Sequence, residues 1–204
     1  MQNSIDRNSR FDANGADLAT PSRLNFQFKV LFTGTLDSGK TTIVELLAGL
    51  TDAHIIPEVA RDLLDQDPDI ERKPEFQTQI IAEQIKREHE AEQSSKRLVI
   101  LDRSFLDIIC YSRHFDHQID ESPLLTRMDY SKVLLFSPFD IDVQNSLSIE
   151  MQQYRMAIHL RFVQVLQELG IPYEVISGSI SARLRRIGEV LSEGREDPFG
   201  RYEH

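Results

Sequence analysis

The sequence predicts an α/β fold built on a mostly parallel, five-stranded sheet. Three observations carry this. Short runs that are apolar almost throughout, such as RLVILDRS and KVLLFSPF, read as strands buried on both faces. Longer stretches with apolar residues three and four apart read as helices. The two kinds alternate along the chain, as parallel strands joined by crossover helices must.

The first strand is NFQFKVLFTG, at 25 to 34, which alternates and then becomes continuously apolar. KTTIVELLAGL, at 40 to 50, puts Ile43, Leu46, Leu47 and Leu50 on one helical face. A short strand at 53 to 56 follows, and Pro57 can open a helix because its missing amide proton is not needed there. KPEFQTQIIAEQIKREHEAEQ, at 73 to 93, is an amphipathic helix with Phe76, Ile80, Ile81 and Ile85 inward. RLVILDRS, at 97 to 104, is a fully buried strand; FLDIICYSRHF continues as a helix, and HQIDESPLLTRMDYS reads as a polar loop. KVLLFSPF, at 132 to 139, is the next buried run. SLSIEMQQYRMAIHLRFVQVLQELG is a long helix stopped by Gly170 and Pro172. YEVISG gives the last strand and SISARLRRIGEVL the last helix. No internal repeat is present. Residues 1–24 and 192–204 read as polar, disordered tails flanking one domain at 25–191.

Composition agrees with one domain, because 204 residues suffice for a single sizeable core. With 40% hydrophobic and 27% charged residues the chain resembles ordinary soluble domains, and no apolar run is long enough to span a bilayer. The opening residues have no apolar signal segment, so a cytoplasmic location is expected. A single cysteine, Cys110, allows no internal disulfide and no cysteine-based zinc site. The net charge of −10, from 33 acidic against 23 basic residues, repels polyphosphate backbones and argues against a nucleic-acid partner.

The chemistry begins at Gly34-Thr35-Leu36-Asp37-Ser38-Gly39-Lys40-Thr41, continued by Thr42. This fits G-x-x-x-x-G-K-[ST] and sits between a buried strand and a helix, the context the motif requires. Its glycines let successive backbone N–H groups converge on one anion at a helix N-terminus. Lys40 adds positive charge near the β- and γ-phosphates of a nucleotide, and Thr41 offers a hydroxyl to Mg²⁺. From average residue frequencies, a chance match arises in roughly one chain in a hundred of this length, and the strand and helix flanks make coincidence rarer.

Two strand ends add to it. Asp102 closes a buried strand where ligands bind in open α/β sheets, so it can hold Mg²⁺ through water, with Arg103 reaching phosphate or substrate. The alternative is that Asp102 or Ser104 caps the following helix. Glu58 follows the short strand and can orient or deprotonate an acceptor hydroxyl, with Arg61 one turn on; equally, Pro-Glu is an ordinary helix opening. Arg103 stands where many ring-forming ATPases carry a water-polarising Glu, and the Asn-Lys-x-Asp and Asp-x-x-Gly signatures of switch GTPases are missing. Adenine is therefore favoured, and transfer over continuous hydrolysis.

Together GTLDSGKTT, PEVAR, LDRSFLDIICY and ELGIPYEVISGS leading into ARLRRI resemble the nicotinamide-riboside-kinase-like P-loop ATPases of the NadR and Ttd-type AAA-domain group, over roughly 27 to 191. The resemblance implies a P-loop NTPase fold of nucleoside/nucleotide-kinase type, doubly wound with helices on both faces. It also implies ATP and Mg²⁺ as cofactors and a small hydroxyl compound as acceptor. Carried over, it gives Gly34 through Thr42 to the phosphates, Thr41 and Asp102 to Mg²⁺, and Glu58, Arg61 and Arg103 to the acceptor, with Lys40, Glu58 and Arg103 as catalytic groups. One departure stands out: similar proteins carry an acidic residue and a nearby arginine in a lid after the fourth strand. FSPFDIDVQNSLSIEMQQYR has Asp140 and Asp142 but no arginine before Arg155. Either Arg155 swings toward the phosphates or turnover is weak; equally, among Glu150 and Gln152, it reads as a solvated or ion-paired side chain on its helix.

The remaining candidates read as structural. His114 and His117 fit the surface, Cys110 the core, and the ARLRR cluster at 182 to 186 a solvated helix face, although one of its arginines can border a base. The sequence thus predicts a small ATP- and Mg²⁺-dependent phosphotransferase; the alternative is a nucleotide-binding regulator or slow ATPase without an acceptor. The acceptor's identity, the choice of ATP over GTP and the oligomeric state are not legible in it.

Overall fold

The computed structural model describes residues 27–139 and 147–193. Asp140, Asp142 and the segments expected as tails, apart from Ser192 and Glu193, lie outside the described residues.

The elements in order are β1 (Phe28–Thr33), α1 (Lys40–Leu50), β2 (His54–Ile56), α2 (Val59–Gln66), a 3₁₀ turn (Ile70–Arg72), α3 (Phe76–Glu92) and β3 (Leu98–Asp102). They continue with α4 (Phe105–His114), α5 (Ser122–Leu125), β4 (Lys132–Phe136), α6 (Ile149–Glu168), β5 (Glu174–Ile176) and α7 (Ile180–Glu193). The sheet order is β2-β3-β1-β4-β5. All four pairings are parallel, with Phe32 opposite Asp102 on one side and Leu134 on the other. The fold is therefore the α/β P-loop NTPase arrangement that the sequence predicts.

Strand alternation sorts the core into two layers. Leu31, Leu101, Val133 and Leu135 face α4 and α6 through Phe105, Ile109, Phe162 and Val165. Val30, Phe32, Ile100, Leu134 and Phe136 face α1 and α7 through Ile43, Leu47, Ile187 and Val190. Helices thus cover both faces, which is why the strands are apolar without alternation. After β1 the chain builds toward β3 and β2, then returns to the other side for β4 and β5. That reversal opens a crevice at the carboxyl ends of the strands.

Local details depart from the sequence pattern. On α1, Ile43, Val44 and Leu47 are buried, whereas Leu46 and Leu50 are 41% and 71% exposed, because the sheet covers a stripe too narrow to include them. On α3, Ile80 is buried, whereas Phe76, Ile81 and Ile85 are partly buried against the core; polar Gln84 and Glu88 are buried too. Helix α2 starts only at Val59, since Glu58 has non-helical backbone (φ −59°, ψ 110°), so Pro57 stays outside it. The expected loop at 117 to 131 contains α5, opened by Pro123 in its first turn and anchored by buried Leu124.

Gly34 fixes the exit from β1. Its φ is +130°, and a Cβ there would lie 2.9 Å from the Phe136 carbonyl oxygen and 3.3 Å from the Phe136 nitrogen. Gly188, on the exposed side of α7, has no heavy atom within 4 Å of such a Cβ. Gly34→Ala is expected to destabilise the protein by about 2–4 kcal/mol, whereas Gly188→Ala stabilises it by about 0.5–1 kcal/mol. Urea unfolding midpoints of the two variants check the contrast.

Candidate active site

Between β1 and α1 the chain turns through Gly34 to Gly39, and buried cations hold the carbonyls of this turn. Lys40 Nζ donates to the carbonyls of Gly34 at 3.0 Å and Thr35 at 2.7 Å, and to Ser38 Oγ at 3.0 Å. Arg103 also donates to the Gly34 carbonyl, at 2.9 Å. Arg155, from α6, donates to the carbonyls of Leu36 at 3.3 Å and Asp37 at 2.9 Å. Arg183, from α7, donates to the Ser38 carbonyl at 2.6 Å. Because N–H and C=O point in opposite directions across a trans peptide, carbonyls held against the protein turn the N–H groups of Thr35 through Gly39 the other way. None of those five amides donates to another described residue. They form a concave, positively polarised nest that continues into the N-terminus of α1.

This loop floors a cleft of ≈ 320 Å³ lined by Leu36 through Thr42, Glu45, Glu58, Arg61 and Arg103. Gly34 and Thr35 lie beneath it rather than on its wall. Thr41 Oγ1 donates to Asp102 Oδ2 at 2.8 Å, so Asp102, itself 2% exposed, reaches the cleft through Thr41. Asp102 Oδ1 has no partner among the described residues. A hydroxyl and a carboxylate set side by side are hard oxygen donors of the sort that Mg²⁺ takes. Among the described residues no cluster of three or more His, Cys, Asp or Glu could hold a metal.

Arg103 organises the other wall. Its φ of 71° is rare for a side-chain-bearing residue, and its N–H donates to the Phe32 carbonyl at 3.0 Å. The guanidinium lies 2.8 Å from Glu58 and 2.9 Å from Asp107, over the ring of Tyr111. Glu58 is also 3.5 Å from Arg61. Burial holds the Lys40 ammonium down to about 7, helped by the Arg103 charge and opposed by the carboxylates of Asp102, Asp107 and Glu58. Burial likewise pushes the Asp107 carboxyl up to about 6 against the pull of Arg103 and Lys40. It raises Asp102 too, opposed by Lys40 and the Thr41 hydroxyl.

A second cavity of ≈ 440 Å³ adjoins the first. Its walls are mostly apolar, from Val59, Phe76, Ile80, Ile108, Tyr111 and Phe115, with Gln84 and His117 among the polar groups. Leu36, Glu58 and Arg103 line both cavities. The junction therefore carries one carboxylate and one guanidinium.

The structure brings Lys40, Thr41, Glu58, Arg61 and Arg103 to one cleft and decides several alternatives. Ser104, not Asp102, precedes α4 as its cap, and Asp107 accepts from the Ser104 N–H at 3.2 Å. Arg155 is not solvated, at 2% exposure, and among the described residues it pairs with no carboxylate; it also donates to the Pro138 carbonyl at 3.2 Å. The basic cluster is not wholly a solvated face either, since Arg183 is buried and reaches the carbonyls of Ser137 and Gly178 as well. Cys110 is core; beside Phe115, His117 is exposed as expected, whereas His114 is half-buried. Sequence reasoning passed over Asp107, although its place three residues after Ser104 fits the spacing of a capping box and was a usable signal. It also passed over Gln84 and Tyr111, for which no spacing gave warning.

A family model described as AAA domain matches residues 29–183. No curated protein matches the sequence. Among solved structures, a NadR protein in complex with NR superposes with a TM-score of 0.66 at 19% identity, covering 87% of this chain and 53% of that one. The chain thus spans about half the length of NadR; a second NadR structure, with NAD and AMP-PNP, gives 0.63 at 20% identity, covering 82% and 49%. Thymidylate kinase from Ehrlichia chaffeensis gives 0.56 at 20% identity, covering 81% of this chain and 98% of that chain. Deoxyadenosine kinase from M. mycoides gives 0.58 at 14% identity, covering 81% and 99%. At these identities the likeness is one of fold. No described helix is long and apolar enough to cross a membrane.

Two outcomes follow from the site's energetics. Arg155→Met leaves the Leu36 and Asp37 carbonyls without their donor and is expected to cost about 1–3 kcal/mol, measured by urea unfolding. Lys40 keeps its proton to about 7 when folded but to about 10.5 when unfolded. Between those values the unfolded chain binds more protons, so the Lys40 contribution to stability rises with pH. Wild type should gain stability relative to Lys40→Met between pH 7 and 9, read from paired unfolding curves.

Proposed function

The chain belongs to the AAA domain family, and from that premise we propose that it is an ATP- and Mg²⁺-dependent phosphotransferase acting on a small, nucleoside-like hydroxyl acceptor. One observation carries the reading: the polar cleft over the loop and a larger, mostly apolar cavity share Leu36, Glu58 and Arg103 as a common wall. A kinase needs two ligands meeting at one point, whereas a simple hydrolase needs only the first cavity. The NadR complexes with NR and with NAD and AMP-PNP make a pyridine nucleoside and an adenine nucleotide a reasonable first pair to try.

In this reading the amides of Thr35 through Gly39 cradle the polyphosphate, and Lys40 leaves the loop carbonyls for the phosphate oxygens. Thr41 and Asp102 would hold Mg²⁺, which would supply positive charge to the polyphosphate. Glu58 accepts the hydroxyl proton as the acceptor oxygen bonds to the γ-phosphorus in line, the bond to the bridging oxygen breaks and ADP leaves, and Arg103 faces the transferring phosphoryl group. Arg61, half exposed at the rim, contacts the acceptor. The fixed positive groups suit a transfer in which the protein contributes position and electrostatics rather than bonds.

Incubation with ATP, Mg²⁺ and a nucleoside panel that includes nicotinamide riboside, read by mass, is expected to yield a phosphorylated acceptor. Product should vanish with Lys40→Ala, and Glu58→Gln should lower kcat about a hundredfold or more. Tight nucleotide binding without product from any acceptor would favour a regulator instead, and acceptor-independent phosphate release a slow ATPase.

A further inference from the structure

Helix α3 buries two polar side chains on the same stripe as Ile80 and Ala91. Gln84 is 3% exposed, Glu88 6%, and both lie against Ser104, at 2%. Gln84 Nε2 donates to Glu88 Oε1 at 2.7 Å and to Ser104 Oγ at 3.3 Å, and Ser104 Oγ donates to the same Glu88 oxygen at 2.5 Å. The directions of these bonds are forced. An ionised carboxylate only accepts, so both neighbours must donate to it. Ser104 has one hydroxyl proton and spends it on Glu88, so toward Gln84 it can only accept. Two independent neighbours therefore demand that the amide turn its NH₂ inward. The reversed amide would set an oxygen 2.7 Å from a carboxylate oxygen, a repulsive contact. Burial pushes the Glu88 carboxyl above its ordinary range, and the Ser104 and Gln84 donors pull it back.

With its NH₂ committed, Gln84 has only its carbonyl oxygen to offer. That oxygen has no partner among the described residues and does not appear among the buried, unsatisfied atoms, while Gln84 lines the ≈ 440 Å³ cavity. We infer that Glu88, braced by Ser104, fixes the Gln84 amide with its carbonyl toward this cavity, and that the cavity selects acceptors whose base edge donates a hydrogen bond through an amino or carboxamide N–H. Glu88 is thus a positioning residue and Gln84 a specificity-determining one. The inference rests on the phosphotransferase reading for its turnover assay but not for its binding assay.

The test uses matched nucleosides that differ in that one donor: adenosine with purine riboside, cytidine with pyrimidin-2-one riboside, and nicotinamide riboside with nicotinic acid riboside. Binding is measured by calorimetry without ATP, and KM and kcat by turnover. For each pair that binds, the amino or carboxamide member is expected to win by about tenfold or more, chiefly in KM. Glu88→Met, close in volume and free of a buried charge, lets Ser104 donate to Gln84 and reverse the amide, so the ratio should fall toward one. A purely structural role for Glu88 would weaken both members equally and leave the ratio standing. Gln84→Met removes the reader itself and should also bring the ratio toward one, covering the case in which Glu88→Met fails to fold. Equal or inverted preference in the wild type, a ratio that survives Glu88→Met and Gln84→Met, or no binding of any nucleoside would overturn the inference. Selective binding without transfer would support it while removing the phosphotransferase reading.

Discussion

Five consecutive carbonyls, Gly34 through Ser38, are occupied by the ammonium of Lys40 and the guanidinium groups of Arg103, Arg155 and Arg183. The rest of the site depends on this. A loop of that length has many conformations in isolation, and a polyphosphate would have to supply the entropy of ordering it. Fixing the carbonyls in the folded protein orders the amides beforehand. The glycine at 34 belongs to the same constraint, since any Cβ there would press on Phe136 and displace the loop from its arginines.

The doubly wound sheet supplies these cations from both sides. Arg155 comes from α6, which packs on one face through Phe162 and Val165. Arg183 comes from α7, packed on the other face through Ile187 and Val190. The loop at the end of the central strand β1 is thereby tied to both layers, and the apolar core beneath sets the position of the polar cleft above. Removing three arginines and a lysine from water is costly, and here backbone carbonyls and the carboxylates of Glu58 and Asp107 compensate it. The depressed Lys40 ammonium and elevated Asp107 carboxyl record the cost of taking those charges out of water.

Much of the fold was legible because it depends on patterns that local sequence carries. Strands buried on both faces leave continuous apolar runs, and the phosphate loop leaves its glycines, lysine and threonine in fixed spacing. Glu58, Asp102 and Arg103 were legible as strand-end residues, since a parallel sheet gathers its carboxyl ends at one edge. The arginines that shape the loop were not. Arg155 meets it from 118 and 119 positions away and Arg183 from 145, and in a helical pattern both look like solvent-facing charges. Gln84 and Glu88 were hidden for the same reason, because a polar pair four apart on a helix reads as surface until the partner that satisfies it, here Ser104, is known. Leu46 and Leu50 show the converse error, where an apolar spacing continues past the area that the sheet can cover.

The central claim is that this preordered nest, together with Thr41 and Asp102, takes up a nucleoside triphosphate as its magnesium complex. Calorimetric titration of the folded protein with a non-hydrolysable ATP analogue, with and without Mg²⁺, tests it most directly. The account predicts saturable one-to-one binding that strengthens markedly when Mg²⁺ is added, with that strengthening lost in Asp102→Asn. Absence of binding under both conditions, or binding indifferent to the metal and to Asp102, would contradict it.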